Sequence, residues 1–231
     1  MPRSQPYSRG FIAVCIFTGA YLAAAAVTAW VKQSAEFAFY LAVMLVLVWA
    51  LTSIHRRAHF TLGLLWCLSL WGAMHMAGGL VPVPEAWPIN GDSRVLYSWW
   101  MLPFTFGHDG TVDYGIKYDN VTHAYGFGIT AWACWQGLCT TLRGERAAGP
   151  ELTQPIRPTF GRLTLCFTGA MGFGALNEVV EFVATTLGPT NVGGYINTSY
   201  DLISNAVGSL IAVAVIRVWH RRAWGDHTTS N

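Results

Sequence analysis

Charged side chains are what this sequence has least of: 14 Lys and Arg with 12 Asp and Glu, together 11% of 231 residues. A soluble domain carries about 25%, so an ordinary water-facing surface is excluded and a chain built for the bilayer is indicated. The net charge of +2 leaves no basic field for nucleic acid, and no nucleic-acid partner is expected. Paired cysteines are missing too. Cys15, Cys67, Cys134, Cys139 and Cys166 all fall in apolar runs without a CxxC, which excludes a thiolate metal cluster and reads as small buried hydrophobes. Also absent are the GxSxG, HExxH and Walker patterns, and with them the chemistries those motifs carry.

What is present is a series of long apolar runs. Six of them, 11–31, 37–54, 61–81, 121–142, 163–187 and 200–219, are candidates to span. At about 1.5 Å per residue each covers roughly 27 to 37 Å, against a hydrocarbon core of about 30 Å. The first follows Arg3 and Arg9 as the core of a signal peptide would, but it is too long for one and is read as a retained helix. The expectation is a single-domain, all-α bundle of six transmembrane helices, multi-pass in the cell inner membrane, with membrane lipids as its surroundings. Orientation follows from the basic residues. Arg3, Arg9, Arg56, Arg57, Arg143, Arg146, Arg157, Arg162, Arg217, Arg221 and Arg222 lie on one side, and only Lys32, Arg94 and Lys117 on the other. Cytoplasmic loops accumulate Lys and Arg, which puts both termini in the cytoplasm.

The connections carry their own signals. The external stretch 82–118 opens on Val81-Pro82-Val83-Pro84, expected to run extended. Within it, 95–104 is aromatic and too short to span, which suits an interfacial or re-entrant segment lying as a lid at headgroup level. Gly107, His108, Asp109, Gly110 and Asp113 read either as a cation site or as a solvated turn. The basic linker 143–162 faces anionic headgroups, 188–199 is an uncharged turn-rich loop, and the tail beyond 219 is expected to fray.

The functional signal is polar residues placed where lipid or packed helix should be. Asn177, Glu178 and Glu181 interrupt the fifth run, and on insertion scales each carboxylate near the bilayer centre costs about 2.5 to 3.5 kcal/mol. Asn177 and Glu181 share a face, as do Asp119 and His123 at the start of the fourth run and Asp201 and Asn205 at the start of the sixth. His75 stands in the outer part of the third. Topology brings all of these to one level. Asp119 and Asp201 also suit helix starts, where an acid caps exposed amides. Asn205, Ser204 and Gly208 suit close helix packing, as do Gly126, Gly128, Gly169, Gly172 and Gly174. Glu178 and Glu181 have no such structural explanation. They are assigned to chemistry with His123 and Asp119, while His75, Asp201, Asn205 and Asn177 complete the binding shell. As a metal site the set would be His123, Asp119, Glu181 and His75, whose nitrogen and oxygen donors suit Zn, Fe, Mn or Mg.

With His75-x-x-Gly78, Tyr118-Asp119-Asn120-Val121-Thr122-His123, Glu178-x-x-Glu181 and Asp201-x-x-x-Asn205-x-x-Gly208 in this order, the chain resembles the YjdF-like family of predicted bacterial inner-membrane proteins, and more remotely the VanZ-like proteins linked to glycopeptide resistance. The resemblance covers roughly 72–215 and implies a six-helix integral membrane protein without bringing an activity. Its pattern has an Asp at the position of Asn205, and a further Asp and Gln upstream, where this chain has Asn191, Gly193, Gly194 and Asn197 and no acid. Three functions fit the residues: a membrane-embedded enzyme, metal-dependent or not, acting on a lipid or lipid-linked headgroup at the external face; a small proton- or cation-coupled transporter; or an accessory protein whose acids pair with His75 and His123 to fix helix register.

Overall fold

The computed structural model of the chain describes residues 8–33, 35–106, 112–146, 156–187 and 194–228. These form six helices and one two-stranded ribbon: α1 (Arg9–Lys32), α2 (Ala35–Ala58), α3 (Leu62–Leu80), β1 (Trp100–Phe106), β2 (Val112–Lys117), α4 (Tyr118–Arg146), α5 (Phe160–Leu187) and α6 (Tyr195–Thr228), with a 3-10 turn at Leu96–Ser98 before β1. Four helices, Arg9–Lys32, Phe37–Ala58, Phe160–Thr186 and Tyr195–His220, are long and apolar enough to cross a membrane. The third and fourth expected spans form helices as well, α3 and α4, though neither is among these four. For α4, which is the less apolar of the two, its position explains it. α4 packs on α6, α5, α3 and α2 and beneath the 3-10 turn, so little of it meets the surroundings and it can carry polar groups.

Burial runs opposite to that of a water-soluble domain. Large apolar side chains face outward, among them Trp30, Trp49, Phe173, Phe182 and Ile211, whereas Thr122, His123, Asp201, Asn205 and Ser209 are fully buried. In a bilayer that pattern is the stable one, because apolar surface is at home in lipid and polar groups must find partners inside the protein.

Small residues and hydroxyls set the helix contacts. Gly208 on α6 lies against the backbone of Ala124 on α4, and Gly128 against the carbonyl of Gly208. One turn away Ser209 Oγ donates to the Phe127 carbonyl (3.2 Å). Gly126 receives the ring of Trp71 from α3, and Tyr125 Oη donates to the Cys67 carbonyl at 3.2 Å. Of the glycines expected at close crossings, Gly172 meets nothing within 4 Å and does not serve one. Ser204 bonds back to the Tyr200 carbonyl on its own helix.

Several expectations change. The aromatic segment 95–104, expected as an interfacial or re-entrant lid, is a 3-10 turn that leads into a strand. Val81 leaves α3 extended, Pro82 bridges Val95, and Val83 N donates to the Arg94 carbonyl at 3.2 Å, so the extended Pro-rich stretch is held in place. β1 then pairs antiparallel with β2, Leu102 opposite Ile116 and Trp100 opposite Lys117, with irregular register between. Residues 195–199, expected in a loop, are the first turn and a half of α6, and the helix continues past 219 instead of fraying. The cysteines are free, but Cys15 is exposed on α1 rather than buried. The His108 and Asp109 turn and residues 147–155 of the basic linker lie outside the described residues. So do 188–193, while Asp113 is described only as backbone of β2.

Candidate functional site

The site is the convergence of the C-terminal parts of α3 and α5 with the N-terminal parts of α4 and α6, and its centre is His123. Two turns into α4, the imidazole is 1% exposed. Its Nδ1 stands 3.0 Å from Oδ1 of Asn205 on α6; with the Asn205 amide in this orientation Nδ1 carries the proton and the lone pair is on Nε2. Around the ring stand four carboxylates. Asp119 Oδ1, one turn earlier on α4, is 3.6 Å from Nε2. Glu181 Oε1 is 4.0 Å from the same nitrogen, and Glu178 Oε1 is 3.8 Å from Nδ1. Asp201 belongs to the same group: the ligand atoms of Asp119, His123 and Asp201 all lie within 4.8 Å of one another, as do those of His123, Glu178 and Glu181.

Each acid is held differently. Asp201 is fully buried and lies more than a turn inside α6, so the helix-capping explanation considered for it does not apply. Its Oδ1 accepts from Asn120 Nδ2 (3.3 Å) and its Oδ2 from Asn197 Nδ2 (2.6 Å). Asp119 does sit in the first turn of α4, and its Oδ2 is 3.9 Å from Lys117 Nζ. Lys117 also donates to Oδ1 of Asn197, while its backbone N–H is capped by Asn120 Oδ1 at 3.0 Å. Glu181 accepts from Asn177 one turn before it (2.8 Å), as their shared face requires. Glu178 is different. It is 9% exposed, and neither carboxylate oxygen has a hydrogen-bond partner among the described residues.

His75 stands beside this group rather than inside it. Its ring centroid is 6.0 Å from that of His123. Tyr97, in the 3-10 turn, donates its hydroxyl to the His75 carbonyl (2.9 Å) and receives His75 Nδ1–H (2.6 Å). Burial, with Asp119 and Glu181 nearby, holds the Tyr97 phenol well above its ordinary pKa, so the hydroxyl keeps the proton it donates. Gly78 makes this roof contact possible, since a Cβ there would sit 2.4 Å from the Tyr97 ring. Next to Tyr97, Trp99 stacks on Trp87 with centroids 4.2 Å apart, and its carbonyl accepts from Tyr118 N at the start of α4.

All eight residues singled out in the sequence therefore lie in or against one cluster. Lys117, Asn120, Asn197 and Tyr97 belong to it and were not singled out. Lys117 counted only as an external charge, yet it is 5% exposed. Asn197 fell in a stretch taken as loop, although the four-residue spacing of Asp201 and Asn205 extends back to it.

The arrangement has the means to bind a positively charged group and to move a proton at Nε2. Below it the bundle closes on Phe127, Ala131 and Ala170, each no more than 1% exposed.

No curated protein and no solved structure matches the chain. Residues 13–222 match the family described as "Predicted membrane protein (DUF2238)". With nearly its whole length matched, and with four helices long and apolar enough to cross a bilayer, the chain belongs to that family of membrane proteins.

Proposed function

We propose that the protein is a membrane-embedded enzyme of the cell inner membrane, with six spans and cytoplasmic termini, acting on a lipid or lipid-linked headgroup at the external face. The observation that carries this reading is one imidazole, with its free lone pair on Nε2, set among four carboxylates just inside the ends of α4 and α6. His123 takes a proton from a water that attacks a phosphoryl or acyl group of the headgroup, and returns it to the leaving oxygen. Glu181, Glu178 and Asp119 orient the imidazole and stabilise its charged form. Asp201, Asn205, Asn177 and His75 hold these groups in place.

The external assignment rests on the bias of eleven basic residues against three. A headgroup rather than an acyl chain is favoured by the level of the site, beneath an aromatic turn and a ribbon that exposes Leu102, Phe104 and Tyr114. The likeness to YjdF-like and VanZ-like proteins belongs to the same reading. A transporter is disfavoured by the apolar floor at Phe127, Ala131 and Ala170, and a purely structural role by Glu178, whose oxygens have no hydrogen bond within ordinary geometry among the described residues and only a 3.8 Å approach to His123.

The test is a comparison of lipid extracts by mass spectrometry, from cells expressing the wild type, His123→Ala or Glu181→Gln at equal membrane abundance. At least one headgroup species should change with the wild type and return to the empty-vector level with either variant. Identical extracts from wild-type and empty-vector cells would rule out the enzyme.

A further inference from the structure

Around His123 the donors and acceptors do not balance. Asp119 and Asp201 are compensated by the Lys117 ammonium and the amides of Asn120 and Asn197. Glu181 has one partner, Asn177, and Glu178 has no hydrogen-bond partner among the described residues although it is 9% exposed. His123 Nδ1–H is committed to Asn205, so the Nε2 lone pair faces oxygens 3.6 and 4.0 Å away, acceptor against acceptor. Those separations exceed the 2.7–2.9 Å or so of a charge-assisted N–H···O bond. The 4.0 Å to Glu181 fits an ion, because two atoms each about 2.1 Å from one divalent cation lie at most about 4.2 Å apart.

We propose that His123 Nε2, Glu178 and Glu181 bind a single divalent cation. One ring nitrogen of His123 and a carboxylate oxygen from each glutamate lie within 4.8 Å of one another; Glu181 stands on the Nε2 side at 4.0 Å, and Glu178, 3.8 Å from Nδ1, must swing toward Nε2 to close the set. The other group in range, Asp119, His123 and Asp201, is the weaker choice because its carboxylates already have partners. His75 leaves the ligand set, since neither group in range among the described residues includes it. One imidazole and two carboxylates, without thiolate or thioether, select Zn, Mn, Fe or Mg over copper(I) or an iron–sulfur cluster. Asn205 and Asn177 are positioning residues, each orienting a ligand from behind. Three protein ligands leave coordination open for water or a substrate oxygen, as in catalytic rather than structural sites. With the cation on Nε2 that lone pair is no longer free, and the proton from water goes to Asp119, whose Oδ1 stands 3.6 Å from Nε2; the cation rests on the proposed active site only for its location, since an ion can bind without turnover.

Full-length protein in nanodiscs, stripped with chelator, is titrated with Mn2+ and read by electron paramagnetic resonance, with Zn2+ followed separately by elemental analysis. One ion per chain is expected, with nitrogen modulation from a single imidazole. Glu178→Gln and Glu181→Gln should each weaken binding more than about 100-fold, and Asn205→Ala about 10-fold. Asp201→Asn should weaken it less than Asn205→Ala does. A stoichiometry below one at saturating Mn2+, or Glu178→Gln binding as tightly as wild type, overturns the site. If Glu178→Gln fails to fold, the nitrogen signal and the Glu181→Gln titration decide alone. Ion binding without any change in lipid extracts removes the enzyme and keeps the cation, whereas a change that persists in metal-free protein does the reverse.

Discussion

Replacing Gly208 with alanine should destabilise the protein by about 3 kcal/mol or more, at the upper end of overpacking costs. An added Cβ would lie 1.8 Å from the carbonyl oxygen of Ala124 and 2.8 Å from its Cα. These are backbone atoms of a neighbouring helix, so no rotamer change relieves them, and α4 and α6 must separate. Small residues at such crossings allow close backbone approach where lipid supplies no hydrophobic drive for helix association. The separation reaches the site directly. Ala124 follows His123, Gly208 lies one turn after Asn205, and the 3.0 Å bond between His123 and Asn205 spans that same crossing. Gly172→Ala is the matched control: it meets open space and should be neutral or stabilising by about 0.5–1 kcal/mol through helix propensity. Thermal melting of both variants in the same detergent checks the pair. Equal melting temperatures would mean that α4 and α6 are not in this contact.

Lys117→Met should be nearly as damaging, by about 3 to 5 kcal/mol, because removing one partner of a buried pair strands the other. Lys117 and Asp119 expose 6% and 13% of their side chains and stand 3.9 Å apart. Lys117 also ties Asn197 to the group, and Asn197 in turn holds Asp201. The double variant Lys117→Met/Asp119→Asn should regain much of the loss, since neutralising both ends removes the stranded charge. A chaotrope or thermal melt of the three proteins measures this coupling. Additive losses would place Lys117 outside the network.

The contrast between these two positions shows what could be read from the sequence and what could not. Gly208 belonged to a small-residue pattern inside an apolar run, and apolar length with internal periodicity locates helices well. The same logic found His75, His123, Glu178, Glu181 and Asp201, each a polar residue in an apolar segment. Lys117 gave no such signal. It ends β2 in a polar connection, where a lysine is unremarkable, and only the pairing of β2 with β1 turns it inward. Asn197 was hidden by the glycines and proline before it, which suggest a loop until the helix start at Tyr195 is known. The ribbon went unread because the aromatic content of 95–104 suits an interface helix as well as a strand, and strand pairing is a non-local property. The low apolarity of α4 is likewise set by its neighbours rather than by its own residues.

On the proposed function, Glu178 is kept at a cost in stability for the sake of the site. Melting of chelator-treated Glu178→Gln against the wild type tests this most directly. The substitution preserves shape and removes an unsatisfied buried carboxylate, so the variant should melt higher than wild type while the lipid change disappears, the stability–activity trade-off of functional positions. A lower melting temperature with the lipid change intact would contradict the account and make Glu178 a structural partner of His123.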